Sequence, residues 1–153
     1  MGASPSRALT WAETMTTSRP LVLAAAFLSL AAATARAAPA SPEDVVRAYA
    51  EAANHRDVDA LLALYSPDVR KYAFPGTLAS EGRESNREKY KRNFAENPNL
   101  NVKILQMTTV ADKVVSHDLV TGLASGKTSE ELVVYQVHDG QIANIVYVER
   151  DLR

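Results

Sequence analysis

The apolar residues of this chain change their period near Leu100, and that change limits the fold more than any motif does. Before it they recur mainly at helical spacing; after it they alternate. Helical segments followed by a series of alternating segments imply helices gathered against an antiparallel sheet, an α+β arrangement.

The helical half opens at Ser41, an N-cap with Pro42 at the first helical position and Asp44 placed as in a capping box. Val45, Val46, Tyr49 and Ala53 then recur on one face. After a break at His55-Arg56, Asp57 caps a second helix whose buried stripe is Val58, Leu61, Leu62 and Tyr65. Ser66-Pro67-Asp68 stops it, and Val69 to Phe74 reads as a short strand closed by the turn Pro75-Gly76. Thr77 to Gly82 reads as a loop. Arg83 to Asn97 is a third helix with Tyr90 and Phe94 stacked at i, i+4; its five basic residues alternate with Glu84 and Glu88, as on a solvated face.

From Leu100 onward four strands are expected: Val102 to Val110, Val114 to Leu123, Ser129 to His138 and Ile142 to Glu149. Short turns join them, the clearest being Asp139-Gly140, which supplies the positive φ angles of a primed hairpin turn. Consecutive strands with short turns pair antiparallel.

Two capped helices, the run DVDALLALYSPDV, a short strand and a Pro-Gly turn resemble the start of a nuclear transport factor 2-like domain, in its SnoaL-like and ketosteroid-isomerase-like branch. The resemblance extends over roughly Ser41 to Asp151. It implies a cystatin-like cone, with three N-terminal helices packed on a curved antiparallel sheet and a pocket between them. It also implies a homodimer formed through the outer sheet face.

Residues 1–37 read as a signal peptide. Leu21 to Ala33 is an apolar run of 13 residues after Arg19, and Ala35-Arg36-Ala37 fits a small-x-small cleavage pattern. Cleavage after Ala35 or Ala40 fits as well, and translation from Met15 would give a tidier signal than translation from Met1. The run is short for a membrane span, so no stable anchor is expected after cleavage. The expectation is a single domain over 38–153, periplasmic or secreted. Without residues 1–37 the chain holds 14 basic against 17 acidic side chains, about −3, which argues against nucleic acid as a partner. The absence of cysteine excludes disulfides, thiolate metal sites and a cysteine nucleophile.

The sequence carries no H-E-x-x-H, no nucleophile elbow, no phosphate loop and no dinucleotide fingerprint, and its three histidines lack paired spacing, so neither cofactor nor metal is expected. The resemblance supplies candidate positions instead. Ketosteroid isomerases use a first-helix tyrosine, an aspartate ending the first strand and a late-strand acid. Aligned without gaps from Val45, these fall on Tyr49, Ala73 and Val134. Alanine and valine move no proton, so the isomerase mechanism does not carry over. The same alignment places Ser116 and Asp118 on the pocket face, with Gln136 beside Val134, and Ile145, Tyr147 and Glu149 on one face of the last strand. Asp118 is the candidate acid or base and Tyr49 the candidate hydrogen-bond donor, with Glu149 as second carboxylate. His117 is expected on the outer face, since adjacent strand residues point opposite ways. Three function classes follow: a binding pocket for a small, largely apolar molecule; a cofactor-independent isomerase, cyclase, dehydratase or hydrolase; and a protein-interaction module using the sheet face.

Overall fold

The structure, a computed structural model, describes residues 41–153; the signal segment, both possible starts and most of the cleavage region lie outside them. The capping box closes as expected at the start of α1 (Pro42–His55): Asp44 N–H donates to Ser41 Oγ, and Ser41 N–H donates to the Asp44 carboxylate. Arg56 ends α1 in a left-handed conformation, and Asp57 caps α2 (Val58–Ala63) by accepting from Ala60 N–H at 2.9 Å.

Helix α2 is shorter than its apolar spacing suggests. Tyr65 is not its last stripe residue but the first residue of β1 (Tyr65–Ala73), fully buried. Residues 77–81 are no loop: β2 (Thr77–Glu81) pairs antiparallel with β1. An almost wholly exposed strand carries no apolar alternation by which to recognise it. Then come α3 (Arg83–Glu96), β3 (Asn101–Val110), β4 (Lys113–Thr121), β5 (Ser129–His138) and β6 (Gln141–Leu152). The helices lie against one six-stranded sheet of order β2-β1-β6-β5-β4-β3, antiparallel except where β1 meets β6.

Two clamps hold the helices to the sheet. The Asn54 side chain, at the end of α1, accepts from Val102 N–H at 2.6 Å and donates to Val102 C=O at 3.0 Å, extending the ladder of β3. Gly122, at the end of β4, lies so close to the Asn99 backbone that a Cβ would sit 1.8 Å from the Asn99 oxygen. The turn between β5 and β6 has positive φ at Asp139 and Gly140, as that dipeptide predicts. The core between helices and sheet is built from Val45, Val46, Leu61, Leu62, Tyr65, Val69, Val114, Val133, Ile142 and Ile145.

Strand β6 carries two bulges that decide which side chains face inward. Gln136 pairs with Asn144 but Val137 with Ile142, leaving Ala143 as an extra residue; Leu132 pairs with Glu149 but Val133 with Tyr147, leaving Val148 extra. Each inserted residue reverses the alternation.

Candidate functional site

A cavity of about 610 Å³ opens between α1, α3 and the inner face of the sheet. Ala53, Phe94, Leu100, Val102, Val120 and Leu123 supply its apolar wall. Its polar groups include Tyr49 from α1, Lys71 from β1, Tyr90 from α3, Asp118 from β4, Glu131 from β5, and Tyr147 and Arg150 from β6.

Tyrosine hydroxyls form the floor. Tyr90 shares hydrogen bonds with Tyr49 at 2.8 Å and with Tyr65 at 2.5 Å, and a third with Lys71 Nζ. A phenol has one proton to donate and two lone pairs, so these three bonds saturate Tyr90. The rings of Tyr49 and Tyr65 stack at 5.9 Å, while Tyr135 meets Tyr49 at 5.6 Å. Burial pushes all of these phenols far above the ordinary range, so they are neutral hydrogen-bonding groups.

Lys71 lies among them, only 8% exposed, with its Nζ 4.3 Å from the Tyr90 ring centroid and 5.2 Å from that of Tyr65. Burial, together with the charges of Arg150 and Lys89, brings its ammonium from 10.5 down to about 7. Asp118 is 3% exposed and accepts a hydrogen bond from the Ser116 hydroxyl. Burial raises its carboxyl above the usual aspartate value; the Ser116 bond acts the other way, and Glu131 adds to the rise. Arg150 lays its guanidinium carbon 3.8 Å over the Tyr147 ring, and its Nε meets Glu131 at 3.1 Å.

Of the residues expected at the pocket, Tyr49, Asp118 and Tyr147 border the cavity. Ser116 and Ile145 face inward but are wholly buried behind it. The other four lie elsewhere. Ala73 is exposed at the end of β1. Val134 pairs directly with Val115, on the outer face, so both point outward; Val133 and Tyr135 are the inward residues of β5. An ungapped alignment is one residue out of step there, which reverses the face. Gln136 turns outward too, donating to Asp112 at 2.8 Å and accepting from Asn144 at 2.7 Å. Glu149 is carried to the outer face by the bulge at Val148, and Arg150 takes the inward place. His117 does lie outward, against Glu130 at 2.8 Å.

Lys71 and Arg150 are functional candidates that sequence reasoning missed. For Lys71 a signal was present: it shares strand parity with Val69, so an inward Val69 makes it inward as well. Arg150 had none, because its orientation depends on the bulge. Among the described residues, no group of three or more His, Asp or Glu side chains is placed to hold a metal ion. The arrangement can enclose an apolar body, donate hydrogen bonds from tyrosine, and move a proton at Asp118 or Lys71.

The family model of the SnoaL-like domain matches residues 46–145. Among proteins of curated function none matches significantly. Similar solved structures include a cystatin-fold protein from Novosphingobium aromaticivorans, with 21% identity over 72% of this chain and 99% of that one and a TM-score of 0.67. A SnoaL-like protein from Burkholderia thailandensis is 18% identical over 72% of this chain and 93% of its own, with a TM-score of 0.60. IdmH from Streptomyces antibioticus, a proposed polyketide cyclase, is 19% identical over 73% and 93%, with a TM-score of 0.60. At these identities the likeness is one of fold.

Proposed function

The chain belongs to the SnoaL-like domain family, and from that premise we propose that it binds a small, largely apolar molecule in the cavity between its helices and sheet. The observation that carries this reading is the cavity of about 610 Å³, within the range of small-molecule sites, with apolar walls and a few convergent polar groups. A ligand there would set its apolar body against Phe94, Leu100 and Val120 and a polar end toward Tyr49, Tyr90 and Lys71. We include in the reading export directed by residues 1–37 and pairing of two copies through the outer sheet face, where Val115 and Leu132 are 38% and 37% exposed.

A second reading is proton-transfer catalysis, such as a cyclase or isomerase would use; IdmH, of similar fold, is a proposed polyketide cyclase. The raised carboxyl of Asp118 favours it, since a group protonated nearer neutrality exchanges protons efficiently. The ketosteroid isomerase route is not part of it, because the position that the resemblance aligns with the isomerase base is Ala73, and alanine moves no proton.

The test is a thermal-shift screen against steroids, apolar ketones and epoxides, with Val120→Phe and Tyr49→Phe run beside the wild type. A ligand that binds only the native state raises the melting temperature by mass action. The reading requires a stabilising compound whose effect Val120→Phe abolishes by filling the cavity. Stabilisation that survives Val120→Phe would move the site elsewhere.

A further inference from the structure

We propose that Lys71 captures the ligand covalently, its amine condensing with an aldehyde or ketone to form an imine. The inference rests on the binding reading above and adds the chemical class of the ligand.

The first observation is that Lys71 has no ionic partner. Arg70, Arg87, Lys91, Lys113, Arg150 and Arg153 each meet a carboxylate, whereas among the described residues none comes within ion-pair distance of Lys71 Nζ. Yet Lys71 is the buried one, at 8% exposure. A lysine placed in an interior for stability alone needs a counter-charge, because burying an uncompensated cation is costly. The neighbouring charges make this worse: Arg150 and Lys89 are both cationic and repel a proton on Nζ. Desolvation together with cationic neighbours is the environment that keeps a lysine amine unprotonated and nucleophilic near neutral pH.

The second observation is the partner that Lys71 does have. Tyr90 hydroxyl contacts Nζ, Tyr49 and Tyr65 at once. With Lys71 neutral, Tyr90 donates to Nζ and accepts from both phenols; with Lys71 protonated, Nζ donates and Tyr90 passes its own proton toward one of them. The Tyr90 hydroxyl stays matched to its partners in either state, so a proton can enter or leave at Nζ without stranding that buried phenol.

That is what imine formation needs. The Nζ lone pair attacks the carbonyl carbon, and the carbon–oxygen π pair moves onto oxygen. A proton passing from nitrogen to that oxygen converts it to a hydroxyl, giving a carbinolamine. Nitrogen then forms its double bond to carbon as the carbon–oxygen bond breaks, its second proton going to the hydroxyl, which departs as water. The balance is carbonyl plus amine to imine plus water, with no oxidant or reductant. A carboxylate ligand is the competing possibility. It fits less well, since an amine this easily deprotonated is a weak counter-ion.

The test uses the full chain with hexanal and 2-octanone as probes, trapped with cyanoborohydride and read by intact mass and peptide mapping at graded pH. The expected result is one alkyl group on Lys71, forming at pH 7.5 at least about tenfold faster than on any exposed lysine. The rate should rise through pH of about 7, the value for this ammonium. Lys71→Arg keeps the charge but cannot form the imine, so it should lose the adduct. Lys71→Met serves if the arginine does not fold, and mapping in the wild type depends on neither. Thermal stabilisation by the probes without label on Lys71 would overturn the imine and leave the binding reading standing. Neither stabilisation nor label would defeat both. Stabilisation by octanoate alone would replace the carbonyl with a carboxylate ligand.

Discussion

Burying Lys71 without a carboxylate beside it works against folding, and the pH dependence of that penalty has a definite sign. The folded-state value is about 7 and the ordinary one 10.5, so between these the unfolded chain holds a proton that the folded chain does not. Stability therefore rises with pH from about 7 to 10.5 and is lost as pH falls through the same window. Lys71→Met should raise stability at pH 7 by on the order of 2 kcal/mol, the gain shrinking toward pH 10 in paired thermal melts. A substitution that stabilises the fold while removing its ligand response is the pattern expected of a functional residue. Asp118 behaves in the opposite sense. Its carboxyl is raised by burial, so the folded chain binds the proton more tightly and stability falls as pH rises through the region above the ordinary aspartate value. Asp118→Asn should thus leave the melting temperature at pH 7 unchanged or slightly higher, since asparagine can still accept from Ser116. A clear loss of stability would show that the charged carboxylate is held by partners other than Ser116. At this scale the sequence was partly legible. Tyr49, Asp118 and Tyr147, placed at the pocket by the alignment that the resemblance implies, border the cavity, and Lys71 was available from strand parity through Val69.

At the scale of elements, legibility followed apolar spacing and stopped where spacing stopped. The capping box of α1, the Tyr90–Phe94 face of α3 and the Asp139-Gly140 turn were readable because each depends on neighbours a few residues away. Strand β2 was not, because exposed residues carry no period. Tyr65 continues a helical stripe in sequence, yet the chain has already left α2 one residue earlier, and the phenol reaches the core from β1. The bulges of β6 are the deepest case: one extra residue at Val148 sends Glu149 outward and Arg150 inward, and nothing in the alternation announces it. Deleting Val148 should remove the bulge while leaving Glu149 outward opposite Leu132 and Arg150 inward, so the melting temperature should change little. The clamps are testable in the same way. Asn54→Ala removes both hydrogen bonds to Val102 and should cost about 1–3 kcal/mol in denaturant unfolding. Gly122→Ala should cost more than about 2 kcal/mol, because its Cβ would fall on the Asn99 carbonyl and its φ of 71° disfavours a side chain.

At the scale of the whole molecule, the period change at Leu100 and the resemblance of Ser41 to Asp151 led to the observed architecture: helices on one face of a six-stranded sheet, in the SnoaL-like family. The fold gathers side chains of two helices and the sheet around one cavity, and what that cavity does depends on those side chains rather than on the fold. An interior lysine is held among tyrosines there, and Ala73 stands at the position aligned with the isomerase base. The most direct test of that site is a lysine-selective carbon-13 NMR titration of the Cε signals, with and without a stabilising carbonyl compound. One signal, absent from Lys71→Arg, should titrate near pH 7 and move when the compound is added. If every lysine titrates near 10.5 and none responds to the compound, Lys71 is neither desolvated nor at a binding site, and the cavity loses its assigned role.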